Sequence, residues 1–219
     1  MVRESNSRSA ALAGPRLVRR QADRRNLILR AAARMFRQRG FADTGMRDIA
    51  GAADLSAANL YHYFRGKEEI LFYCQDRALD RMLAAVVAAR KASARATGRL
   101  RSVLETHLRI LLDEVEGATA HLQVDALSPV LRARIVTKRD RYERAVRRLI
   151  TEGMDAGDFV RTDAALVARG MLGALNWTVT WFRPDGPDPA ETVARTLADF
   201  LVRGVSGGTT IRSPHAKRA

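Results

Sequence analysis

Few side chains in this sequence could carry covalent chemistry, and their spacing does not assemble a reaction centre. No Gly-rich phosphate loop, nucleophile-elbow sequence or paired acidic/His metal motif is present. The one cysteine, Cys74, excludes an internal disulfide framework and any Cys-based zinc cluster. His62 has no partner at metal-ligand spacing, and His107 and His121 read as satisfied polar residues rather than ligands. The suggestive grouping lies between Thr44 and Lys67, TGMRDIAGAADLSAANLYHYFRGK. Leu60 and Phe64, at i and i+4, face inward and leave Ala57, Ala58, Asn59, Tyr61 and His62 outward. The chemistry on offer is recognition by one helix face, and no enzyme is expected.

Two short helices must hold these residues. Thr44 can cap the first, at about 46–53, whose apolar inner face is Ile49, Ala50 and Ala53. Asp54-Leu55 makes a tight turn with Leu55 buried as its pivot, and Ser56 caps the second helix, about 57–62. A long helix at about 19–39 precedes them, with Leu27, Ile28, Ala31, Ala32, Met35 and Phe36 on one face and Gly40 as its stop. Two short helices joined by a tight turn and packed on a third make a helix-turn-helix. Its second helix fits the major groove of DNA, and small residues at its start let the backbone approach.

The rest of the chain predicts an all-α fold of about nine helices, since strand alternation is absent and Ala, Leu and Arg dominate. Residues 1–18 read as a disordered basic arm and 19–66 as the helix-turn-helix domain, with its motif at 46–65. Further helices are expected at about 67–95, 99–115, 119–126, 128–154, 164–182 and 190–203, within a C-terminal domain spanning 67–205. Cys74 is a small core residue beside Leu71. An AGDF turn at 156–159 closes the 128–154 helix, Asp163 caps the next, and Asp188-Pro189 supplies an N-cap/N1 pair for the last. The Gly/Thr/Ser-rich tail 206–219 reads as disordered. No apolar run reaches the roughly 18 residues of a membrane span, and the N-terminus lacks the apolar core of a secretory signal, which points to the cytoplasm.

The net charge of +14 is unevenly placed. Residues 1–45 carry +8, 46–126 cancel, 127–150 carry +6, 151–206 carry −3 and the tail +3. A basic arm before a folded region is the footprint of a polyanion binder. The same excess also fits genomic base composition, because 34 of the 38 basic residues are Arg.

The stretch around the turn resembles the DNA-binding domain of the TetR/AcrR family of transcriptional regulators. The resemblance covers about residues 20–72. It is carried by Ala33, Phe36, Gly40-Phe41, Thr44, Met46-Arg47-Asp48-Ile49-Ala50, and Leu55-Ser56-x-x-x-Leu60-Tyr61-His62-Tyr63-Phe64-x-x-Lys67-Glu68. Asp54 and Ala58 stand where Gly is commoner, and Asp tolerates the left-handed geometry fairly well. The resemblance implies that Thr44 and Lys67 hold phosphates, with Lys67 at the start of the fourth helix. It implies that Tyr61 and His62 contact backbone or base edges. Ser56, Ala57 and Asn59 would lie nearest the groove, Asn59 as a reader of adenine. Arg47 would reach a phosphate or base. The basic arm would follow the DNA backbone or enter the minor groove, or remain a solvated tail.

In that family the remaining helices dimerise and bind an effector. Here 164–182 is nearly uncharged, and 190–203 carries Val193, Leu197, Phe200 and Leu201 on one face. Paired across a two-fold axis these helices would make a four-helix homodimer interface; the plainer alternative is an intramolecular core. Asn176-Trp177-x-x-x-Trp181-Phe182-Arg183 resembles the penultimate helix of family members that regulate fatty-acid, sterol and aromatic-acid catabolism and respond to acyl-CoA thioesters. Trp177 and Trp181 could line an apolar tunnel or stack on adenine, or else pack an interface. Arg169, Arg183, or the Arg139, Arg141, Arg144, Arg147 and Arg148 run could pair with CoA phosphates, or stay solvated. The expected partners are thus a palindromic operator in double-stranded DNA, a small-molecule effector and a second copy of the chain, with no cofactor and no membrane. The expected function is sequence-specific repression relieved by the effector. The alternative is a non-specific architectural DNA binder.

Overall fold

The computed structural model describes residues 5–92, 95–112 and 123–207, with side chains from residue 19 onward. Among these residues the secondary structure is eight α-helices and one 3-10 turn, with no strand. They are α1 (Ser5–Arg39), α2 (Met46–Ala52), α3 (Ala57–Tyr61), α4 (Lys67–Lys91), α5 (Ala96–Leu112), α6 (Pro129–Asp155), α7 (Ala164–Trp181) and α8 (Ala190–Val205), with the 3-10 turn at Val124–Ala126. The chain divides into two compact units, Met1–Asp76 with Glu114–Ala133, and Arg77–Asp113 with Arg134–Ala219. The break falls inside α4, ten residues beyond the expected boundary at 66/67.

In the first unit, α1 turns Ile28, Ala31, Ala32, Ala33 and Phe36 inward, a helical-period stripe that packs on α2. Gly40 ends it at φ +81°, a left-handed position that favours glycine, and its N–H returns to the Phe36 carbonyl at 2.9 Å. The start differs from expectation: α1 begins at Ser5, so residues 5–18 are helical rather than a disordered arm. Ala10, Ala11, Leu12 and Ala13 are good helix formers, and the helix runs on through the Gly14-Pro15 pair that pointed to a break. α2 contributes Ile49 and Ala50, α3 Leu60, and α4 Ile70, Leu71 and Phe72 to the same core. Burying each of the Ile, Leu and Phe side chains is worth about 1.5–3 kcal/mol. Cys74 is buried beside them, its thiol 3.7 Å from the Leu29 carbonyl.

The second unit packs α5 against α8 and α7. α5 presents Leu100, Val103, Leu104 and Leu108, α8 presents Ala194, Ala198 and Val202, and α7 presents Ala168, Met171 and Leu175. Asp163 caps α7 as expected, accepting from Ala165 N at 2.8 Å and Leu166 N at 3.1 Å. Pro189 is the N-cap of α8, not its first helical residue. In the AGDF turn Gly157 has φ +76°, and Phe159 lies against Gly153 so closely that a Cβ there would collide with its ring. The expected helix at 119–126 shows only its end, the 3-10 turn; 119–122, His121 and most of the 206–219 tail lie outside the described residues. No helix among the described residues is long and apolar enough to cross a membrane, and no group of His, Cys, Asp and Glu among them could hold a metal ion.

Candidate nucleic-acid interface

α2 and α3 form the expected pair, joined at Asp54, whose φ of +54° is the only left-handed non-glycine backbone among the described residues. Asp tolerates this because its short polar side chain can hydrogen-bond locally. Leu55 returns its N–H to the Ala50 carbonyl at 2.9 Å but is only half-buried, so the pivot is the backbone bond more than the side chain. Ser56 caps α3 as expected, its hydroxyl accepting from Asn59 N at 3.2 Å. Leu60 and Phe64 are buried, while Asn59 and His62 are exposed and Tyr61 is 55% exposed. Ser56 and Arg47 are exposed as well, and Ala57 is half-buried. The segment thus resolves into one polar outer face over an apolar inner one.

Two of the expected phosphate holders are committed elsewhere. Thr44 is buried, and its hydroxyl donates to the Gly40 carbonyl at 2.7 Å, with the Met35 carbonyl at 3.3 Å. It seals the end of α1 instead of capping α2, whose N-cap is Gly45. Gly45 N donates to Asp48 Oδ2 at 2.8 Å, and Asp48 Oδ1 also pairs with Arg39 at 3.3 Å. Lys67 sends its ammonium to the Phe41 and Ala42 carbonyls, each at 2.8 Å, and over the Phe41 ring at 4.7 Å. Two of its three protons are therefore spent on the loop after α1. Glu68, one residue on, accepts from the Ser128 backbone and side chain, and these bonds hold its carboxyl below the usual range.

Residues 28–74 match the family model described as bacterial regulatory proteins, tetR family, and 93–205, more than half the chain, match the one described as tetracyclin repressor-like, C-terminal domain. The chain belongs to the TetR family. Its members here are DNA-binding transcriptional regulators, not enzymes. The TetR-family regulator PfmR of Thermus thermophilus is 38% identical, with a TM-score of 0.73 over 80% of this chain and 97% of that one. The HTH-type transcriptional repressor KstR2 of Mycolicibacterium smegmatis is 28% identical over 84% of this chain and 92% of its own length. The structure of AibR with isovaleryl coenzyme A and operator DNA is 26% identical, with a TM-score of 0.70 over 84% of this chain and 98% of that one.

The effector residues expected in this TetR chain are not brought together. Trp177 and Trp181 share a face, but it is an outer one, 66% and 47% exposed, so they line no tunnel among the described residues of their unit. α7 spends its inner face on Ala168, Met171, Leu175 and Thr178. Arg183 is exposed, and so is Arg169, whose Nε donates to the Ala165 carbonyl at 3.1 Å. Asn176 alone reaches inward, where its Oδ1 lies 3.1 Å from His107 Nε2. His107 Nδ1 lies 3.1 Å from the Tyr142 hydroxyl, so His107 is satisfied as expected. Burial drives the His107 pKa down to about 4 and the Tyr142 hydroxyl up out of range. Sequence reading missed Tyr142 and missed that Asn176 pairs with His107; no local pattern links positions so far apart. In the basic α6, burial lowers the pKa of Arg139, while Arg141, Arg144 and Arg148 are exposed.

Proposed function

We propose that the chain is a repressor that binds a palindromic operator as a homodimer and leaves it when an acyl-CoA thioester binds the C-terminal unit. The observation that carries the DNA half is the exposed polar face of α3, with Ser56, Asn59, Tyr61 and His62 outward over buried Leu60 and Phe64. Asn59 is the reader of adenine, while Tyr61, His62 and Arg47 contact backbone or base edges and Ala57 lets the helix come close. Homodimerisation is supported by the apolar surface of the last two helices, where Leu166, Trp177, Trp181 and Phe200 are all exposed. Phe200 points outward while Val193 is buried, so that surface lies on α7 and one edge of α8. A two-fold pair would set the two α3 helices roughly 34–36 Å apart, one turn of DNA.

The acyl-CoA effector is supported by AibR, whose structure holds both isovaleryl coenzyme A and operator DNA. Release needs only that the thioester prefer an arrangement in which the two α3 helices no longer match successive grooves. Such a protein works in the cytoplasm and needs no cofactor. The test is selection of bound sequences from random DNA, with and without acyl-CoA pools. A short palindrome preferred by roughly 10³–10⁷ over random DNA is expected. Uniform binding with a steep salt slope would make it an architectural DNA binder instead. Binding indifferent to every thioester removes the effector alone.

A further inference from the structure

We propose that the hollow between α1 and α3 seats the sugar–phosphate backbone of the operator, with Arg24 as its phosphate-binding residue. This rests on the reading of α3 as the helix that enters the groove. Ile28 is fully buried and fixes which face of α1 meets the core. Arg24 lies four residues before it and Gln21 seven before, so both continue that face beyond the packed region. There, with Leu55, Asn59, His62 and Tyr63, they enclose a hollow of about 420 Å³.

The side chains around it are unequally committed. Arg25 is taken up by two rings, its guanidinium 5.1 Å from the centre of Phe64 and 5.0 Å from that of Tyr73. Arg24 is exposed and has no ion-pair partner among the described residues. Among the described residues no carboxylate lines the hollow. Thr44 is buried and Lys67 gives two protons to carbonyls, while Arg24 is the arginine that the lining of the hollow itself supplies. A guanidinium is planar, always charged and forked, which suits the two free oxygens of a phosphodiester. Amide, imidazole and phenol groups on the opposite wall suit the sugar and the groove edge. When a helix lies in the major groove, the strand backbone runs along its flank, and Asn59 of α3 with His62 and Tyr63 just after it forms one wall of this hollow. Arg24 therefore fixes the register of α3 without reading a base.

The test uses the full-length chain and operator duplexes with a single uncharged methylphosphonate placed at each position in turn. Wild type should lose affinity about tenfold at one or two positions per half-site, and Arg24→Ala should be indifferent there. Arg24→Ala should weaken every sequence alike, by about tenfold, and lower the slope of log affinity against log salt by about 0.9 for each protomer. Arg24→Lys should keep the slope, and Asn59→Ala should instead relax preference at one base pair. An unchanged melting temperature of Arg24→Ala verifies that the fold is intact. Wild-type affinity and slope in Arg24→Ala, or an altered base preference, would overturn the phosphate seat while operator selection stands. A wild type that selects no sequence overturns the groove reading and the seat with it.

Discussion

Lys67 Nζ stands 2.8 Å from the carbonyl oxygen of Phe41 and 4.7 Å from the centre of its ring. One side chain thus ties the first turn of α4 to the loop after α1. Lys67→Met should lower unfolding stability by about 1–2 kcal/mol in a urea titration, in the absence of DNA. A variant as stable as wild type that binds DNA more weakly would return Lys67 to a phosphate-holding role alone.

Thr44 makes a similar case from the interior. Thr44→Val keeps the shape and removes the hydroxyl that donates to the Gly40 carbonyl. It should cost about 1–2 kcal/mol in stability. With the fold held at low temperature, its operator affinity should match wild type in a fluorescence-anisotropy titration.

His62→Ala tests the outer face of α3. The side chain is exposed, so thermal melting should be unchanged, while operator binding weakens by about tenfold at fixed salt. Undiminished affinity would remove His62 from the interface.

His107 sets a pH dependence of stability. Burial lowers its pKa from 6.5 to about 4, so the unfolded chain binds more protons than the folded one between those values. Stability should therefore be level above pH 6.5 and fall as pH drops towards 4, by up to about 3 kcal/mol from this residue. His107→Gln should flatten that part of the curve, as measured by the difference in urea midpoints between about pH 7 and pH 4.5. Equal slopes in the two proteins would locate the proton elsewhere.

Phe200→Asp tests the dimer surface. Phe200 is 70% exposed, so the chain should fold with unchanged helical circular dichroism but sediment near the 24.3 kDa of one chain. Affinity for a full palindrome should fall much further than affinity for a half-site. A wild type that itself sediments near one chain would defeat the prediction.

Much of this was legible in the order of residues. Ile49 and Ala50, then Leu60 and Phe64, state the inner faces of α2 and α3, and Asp54 between them marks the left-handed turn. Ser56 and Asp163 sit where local capping decides the outcome, and both cap. The misreadings share a cause. Whether the Thr44 hydroxyl turns forward to α2 or back to Gly40 depends on how α1 approaches, and Lys67 reaches a partner 26 residues away. Periodicity puts Trp177 and Trp181 on one face of α7 but does not say that Met171 and Leu175 claim the inside. In the sequence Arg24 is only one more charge near the arm, because its value lies in being beside Asn59 in space.

The thiol of Cys74 is the only one in the chain, and it is enclosed in the DNA-binding unit against the Leu29 carbonyl. A thiol reagent added to the native protein can react only in the moments when that unit opens, so its rate is a clock for local unfolding. No label need be engineered. Operator DNA, by holding the unit closed, should slow that clock in proportion to its occupancy.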